Sequence, residues 1–135
     1  MENNLPTTWE EVCQSKGIDP NQLPDVSLYP KKHQAAAVAT FKWYHVLEVL
    51  NTNPETKLLW EPDWKDYDQA KYYNWWDMDD ADSVSGFGFD GAYYGDGTAY
   101  TSVGSRLVFK SRDIARHAAK HFIDLYKDML VIPAE

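Results

Sequence analysis

The stretch KYYNWWDMDDADSVSGFGFDGAYYGDG, residues 71–97, decides the fold of this chain. It carries eight aromatic side chains and six aspartates. Its first residues alternate as a β-strand does, because successive side chains of a strand point to opposite faces. One face of this predicted strand carries Tyr72, Asn74 and Trp76. The opposite face carries Tyr73, Trp75 and Asp77.

The remainder of the stretch and the residues after it predict two more strands. Phe87 and Phe89 share one face of the second strand, while the glycines beside them leave its other face bare. The GDG at 95–97 is typical of a turn, and AYTSVGSRLVFKS at 99–111 has the alternation of a third strand. A small sheet needs bulky residues, since burying one large aromatic side chain contributes roughly 2–3 kcal/mol.

Helix signals lie on both sides of the predicted sheet. A capping box formed by Thr8 and Glu11 starts a short helix that ends at a glycine cap, over about residues 8–17. Apolar residues at helical spacing predict a second helix over about 30–50, with a largely apolar C-terminal half that belongs in the core. A third helix is predicted from an N-cap serine onward, over about 111–129.

Together these elements predict a single α+β domain over residues 1–135. In it, a three-stranded antiparallel β-meander packs against two longer helices, with a short N-terminal helix before them. The one cysteine, Cys13, has no partner for a disulfide and is expected to be buried. Neither a signal peptide nor a membrane span is recognisable, so we expect a protein of the cytoplasm with no membrane partner.

The acidic residues are concentrated in one part of the chain. Residues 61–97 carry ten acids and two lysines, a balance of −8, whereas 1–60 has a balance of −2 and 98–135 of +2. Affinity for nucleic acid comes largely from counterion release by Lys and Arg, which this balance opposes. We therefore expect a protein partner and no nucleic-acid partner.

The sequence offers little support for catalysis or for a metal. His117 and His121 have the spacing of two zinc ligands, but they lack the glutamate of HExxH, and a solvated helix face is the simpler interpretation. An EF-hand loop counted from Asp77 fails at its fifth, sixth and twelfth positions, which leaves an acidic surface turn as the simpler interpretation and a looser divalent-cation site as the alternative. No known phosphate-binding loop or nucleophile elbow is present. We expect no enzyme activity and no cofactor.

The aspartates between the first two strands are the predicted recognition edge. One or two polar residues are enough for a turn, so their density is the reason for assigning them a role. Burying several carboxylates without partners costs several kcal/mol each, so they must be exposed, and Lys65 and Lys71 are too few to neutralise them. Beneath this edge, four aromatic residues are expected as core: Tyr72, Trp76, Phe87 and Phe89. The predicted binding residues are Asp77, Asp79, Asp80, Asp82, Tyr73, Trp75, Arg106 and Lys110.

Two other functions use the same residues. A small-ligand protein would bind a sugar or nucleotide in an aromatic pocket, with Arg106 or Lys110 contacting an anionic group. That pocket would be lined by Tyr72, Tyr73, Trp75, Trp76, Tyr93 and Tyr94. Alternatively, rows of carboxylates would imitate nucleic acid and occupy a basic groove on a host protein.

Four segments carry a resemblance to a known family: WEPDW, KYYNWWDM, SGFGF and VGSRLVFKSRDIARHAAKHFIDLYKDML. In this order they resemble an uncharacterised family of small proteins from Bacteroidota phages, prophages and mobile elements. The resemblance covers nearly the whole chain, including TTWEEVCQSKGIDP near its beginning. It implies a phage accessory protein that acts inside a bacterial host, on a host protein or on a phage protein. It implies no catalytic residue.

Overall fold

The computed structural model describes residues 5–79, 86–99 and 103–133. Within these ranges the chain forms four α-helices and one two-stranded antiparallel sheet, which confirms the α+β class. A short 3₁₀ turn, Lys31–His33, precedes the second helix. The elements are α1 (Trp9–Lys16), α2 (Gln34–Leu50), β1 (Lys71–Asp77), β2 (Gly88–Gly95), α3 (Arg112–His121) and α4 (Ile123–Leu130).

The predicted caps of α1 are confirmed. The Thr8 hydroxyl accepts a hydrogen bond from the Glu11 amide at 3.2 Å. The Glu11 carboxylate accepts from the amide of Thr7 at 3.1 Å and from its hydroxyl at 2.8 Å, and these bonds lower the pKa of Glu11. Gly17 ends the helix in the left-handed conformation, with φ 69°. Cys13 is buried as expected, and burial raises the pKa of its thiol.

Helix α2 is the central helix of the core, as its apolar pattern predicts. Trp43, Val46 and Leu50 on its inner face are fully buried. The α4 helix covers this face, and the ring of Tyr126 lies 4.2 Å from the ring of Trp43. The core is thus built mainly between α2, α3, α4 and the inner face of the hairpin.

The predicted third strand is wrong for the residues that the structure describes. Residues 103–106 form a turn, in which Gly104 has a φ of 52°. Of the segment after it, only Phe109 joins the sheet, through a single antiparallel bridge to Tyr72 with N–O distances of 3.0 and 2.7 Å. Residues 100–102 of the predicted strand lie outside the described ranges.

Asn51 satisfies the outer main-chain groups of this extended segment. Its side-chain amide donates to the Val108 carbonyl at 3.0 Å, and its side-chain oxygen accepts from the Lys110 amide at 3.1 Å. These are the main-chain groups that point away from β1, so one buried side chain takes the place of a neighbouring strand. Ser111 then caps α3, accepting from the Ile114 amide at 3.1 Å, and the extended segment ends there.

The last predicted helix is also divided. It breaks at Phe122, whose φ of −122° and ψ of 27° separate α3 from α4. Both parts nevertheless bury one apolar side, which includes Ala115, Ala118 and Tyr126. No glycine or proline marks the break, so helical periodicity could not locate it.

Candidate functional site

The two faces of β1 differ as the sequence predicts. On the inner face, the Asn74 amide nitrogen donates to the Ala115 carbonyl and to the Tyr126 hydroxyl, both at 2.9 Å. Trp76 on the same face packs against the core. On the outer face, Trp75 remains 42% exposed. The outer face of the hairpin therefore presents aromatic surface that the described part of the fold leaves open.

A groove of about 440 Å³ lies on this outer face, and we call it the hairpin groove. Its walls come from both strands and from the first residue of α3. The lining residues are Tyr73, Trp75, Asp90, Tyr93, Tyr94 and Arg112.

The centre of the hairpin groove is the pair of Trp75 and Tyr93. Their rings meet edge to face, with centroids 5.8 Å apart and planes at 70°. Gly91 lies opposite Trp75 on β2. A Cβ atom at Gly91 would lie 3.2 Å from the Tyr93 ring, so the ring lies over the bare backbone. The two rings contact each other, yet Trp75 is 42% and Tyr93 47% exposed, so both remain open to solvent.

A β-bulge introduces the acidic residue of the groove. Trp75 pairs with Gly91, but the next residue, Trp76, pairs with Phe89, so Asp90 is extra in β2. A bulge increases the local twist and redirects a side chain. The result is an exposed carboxylate in the lining of the groove, beside the aromatic pair.

Arg112 is the cation of the groove lining, and the sequence analysis did not select it. Its guanidinium carbon lies 5.6 Å from the centre of the Tyr72 ring. Neither of the selected cations, Arg106 and Lys110, is among the residues that line the groove, and Arg106 lies over Tyr44 at 5.7 Å. Only the position of Arg112 at the start of a helix next to the sheet could have identified it.

The predicted acidic edge is described in part. Asp77 and Asp79 are exposed as expected, whereas Asp80 and Asp82 lie outside the described residues. Lys71 does not neutralise these carboxylates, because it is fully buried. Its ammonium donates to the main-chain oxygens of Asp66 at 2.8 Å and of Asp96 at 2.6 Å.

The four aromatic residues expected beneath this edge are only partly core. Phe87 is buried and stacks on Trp76 with centroids 4.7 Å apart, and Tyr72 and Trp76 are half-buried. Phe89 is 38% exposed, so its assignment to the core is wrong. Phe89 pairs with Trp76 and meets its ring edge to face at 5.5 Å, so it lies at the margin of the core and not within it.

A second cavity, of about 360 Å³, lies between β1, α4 and the turn that follows the hairpin. Its lining includes Asn74, Trp76, Leu107 and Leu130. The Asn74 side-chain oxygen and the Trp76 indole nitrogen have no hydrogen-bond partner, but both atoms are covered by other atoms. This cavity therefore presents mainly carbon to a ligand and offers little for specific recognition.

The histidine pair of α3 is only partly solvated. His117 lies 2.7 Å from the Pro6 carbonyl through its Nε2 atom, and its ring lies 4.5 Å from that of His121. Partial burial, and then the neighbouring His117, lower the pKa of His121. Among the described residues, no three His, Cys, Asp or Glu side chains are grouped so as to hold a metal ion.

Comparisons of the chain with protein-family models, with curated proteins and with solved structures find no match. Over the described ranges, none of the helices combines the length and the hydropathy needed to cross a bilayer. The function must therefore be argued from the geometry of the groove.

Proposed function

We propose that this chain is a non-enzymatic binding protein that contacts another protein through the hairpin groove and the aspartates around it. The observation that supports this is the open, edge-to-face pair of Trp75 and Tyr93. Protein interfaces are enriched in Trp, Tyr and Arg, and a few well-held aromatic anchors contribute most of their affinity. The groove combines such anchors with Arg112.

The exposed rings can supply part of the affinity of such a complex. Full burial of one large aromatic side chain is worth roughly 2–3 kcal/mol. Since Trp75 and Tyr93 are each about half exposed, covering both would add about 2–3 kcal/mol together. A micromolar complex needs about 8 kcal/mol. The remainder must come from Asp90 and Arg112 in the lining and from the other exposed aspartates of the hairpin.

The groove shape favours a protein over a flat small ligand. Its volume lies within the range of small-molecule sites. However, the 70° angle between the rings of Trp75 and Tyr93 leaves no parallel slot in which a flat ligand would be held between both rings. The phage resemblance supports a partner inside a bacterial host, either a host protein or a phage protein.

A capture experiment with matched variants tests this function. The immobilised chain, a Trp75→Ala/Tyr93→Ala variant and a Leu28→Ala/Tyr29→Ala control are each exposed to bacterial lysate. Leu28 and Tyr29 are exposed apolar residues on a distant loop. Circular dichroism first confirms that all three are folded. We expect mass spectrometry to identify a protein that both the unaltered chain and the control capture. In calorimetry, the groove variant should bind this protein about tenfold more weakly. If every captured protein binds both variants equally, the groove is not the binding site.

A further inference from the structure

We infer that the hairpin groove recognises an arginine side chain of its partner protein, with the guanidinium against Trp75 and Tyr93 and paired with Asp90. This inference rests on the proposed function and gives the chemistry of the partner.

The hairpin has exposed carboxylates and no exposed lysine in its described part. The exposed acids of residues 71–79 and 86–99 are Asp77, Asp79, Asp90 and Asp96. The one lysine in these ranges, Lys71, is buried and bound to two main-chain oxygens. Arg112 adds a single positive charge to the lining. A positively charged partner segment therefore complements this face, and an acidic one would be repelled.

The aromatic pair favours arginine over lysine. A guanidinium is planar, stacks on aromatic faces and forms two parallel hydrogen bonds with a carboxylate. An ammonium is a compact, strongly hydrated charge that does neither as well. The chain itself holds one guanidinium against an aromatic ring beside the groove, since Arg112 of the lining lies 5.6 Å from the centre of the Tyr72 ring. Asp90 lines the same groove as the rings of Trp75 and Tyr93, so a partner arginine can contact the rings and pair with the carboxylate together.

Three short blocked peptides test the inference on the intact chain. In them, glycine alternates with arginine, with lysine or with citrulline, which has the shape of arginine without its charge. Calorimetry measures their affinity, and the NMR signal of the Trp75 indole N–H reports the binding site. We expect the arginine peptide to bind most tightly, the citrulline peptide least, and the affinity to fall as salt is added.

Variants separate recognition by the groove from attraction to net charge. Trp75→Ala should weaken the arginine peptide about tenfold, and Asp90→Asn about two- to fivefold, the range expected for an exposed pair. The control Asp128→Asn removes an equal charge from the exposed face of α4 and should leave the affinity within about twofold.

Equal binding of citrulline and arginine, or equal effects of Asp90→Asn and Asp128→Asn, would overturn the inference. Binding of the captured protein distinguishes failure of this inference from failure of the proposed function. If that binding depends on Trp75 and Tyr93 but not on Asp90 or on salt, the groove binds a protein without recognising an arginine. If its binding depends on none of them, both proposals fail.

Discussion

Replacing Lys71 by methionine should destabilise the domain, because this buried lysine joins a loop to the hairpin. Its ammonium donates to the main-chain oxygens of Asp66 and Asp96, and it lies 5.3 Å from the centre of the Trp64 ring. Methionine fills similar space without a donor. The substitution therefore removes the hydrogen bonds and leaves most of the packing.

The expected loss is about 2 kcal/mol of unfolding free energy. A hydrogen bond to a charged group contributes roughly 1.5–3 kcal/mol, so two would give about 3–6 kcal/mol. Part of this loss in unfolding free energy is offset, since methionine buries no charge and the desolvation penalty of the ammonium disappears. At roughly 4 °C per kcal/mol for a domain of this size, the melting temperature should fall by about 8 °C.

Urea unfolding followed by tryptophan fluorescence measures the loss, and Lys65→Met is the matched control. Lys65 is exposed, so the same change in charge and shape should alter stability by less than about 0.5 kcal/mol. If Lys71→Met and Lys65→Met unfold at the same urea concentration, the buried ammonium contributes nothing and the argument fails.

Two further predictions concern a glycine and a histidine. Gly86 has a φ of 81°, and a Cβ atom there would lie 2.9 Å from the Met78 carbonyl oxygen. Gly17 also has a positive φ, but the space around it is open. In denaturant unfolding, Gly86→Ala should therefore lower the unfolding free energy by about 1 kcal/mol more than Gly17→Ala does. Equal losses would contradict the clash. Burial, and then the Lys16 ammonium, lower the pKa of His45. The stability that the neutral imidazole contributes is therefore fully present above its ordinary pKa of about 6.5, and it is lost as the pH falls through the lowered pKa of the folded state. His45→Gln should make the unfolding free energy less dependent on pH between about 7.5 and 5.5; an unchanged slope would show that His45 is not coupled to folding.

The alternation of β1 was predictable because burial and strand geometry agree there. Period-two spacing assigns Asn74 and Trp76 to one face and Trp75 to the other, and the helices α3 and α4 cover the first face. The caps of α1 were predictable for a similar reason, since each depends on residues within one turn of the helix. Features that are decided within a few residues of the chain are those that a single sequence reveals.

The errors arise where a distant residue decides the structure. Asn51 lies far along the chain from Val108 and Lys110, yet its side chain holds the segment that alternation assigned to a third strand. The burial of Lys71 depends likewise on carbonyls brought from two other segments. A charge count treats such a lysine as exposed, because only the folded chain shows what its ammonium binds.

The position of Asp90 bears on whether the aspartates serve recognition or only solubility. For solubility, any exposed surface would do, because the effect of net charge depends little on where the charges lie. Asp90 instead lies at a bulge, which adds a residue to β2 and disturbs the register beside Trp76. The next residue of the strand, Gly91, lies under the Tyr93 ring, and Asp90 lines the same groove as that ring. Bulges are often found beside functional sites, where they redirect a side chain. A hairpin built for solubility has no need of this arrangement, whereas a site that reads charge beside an aromatic pair requires the two to be adjacent.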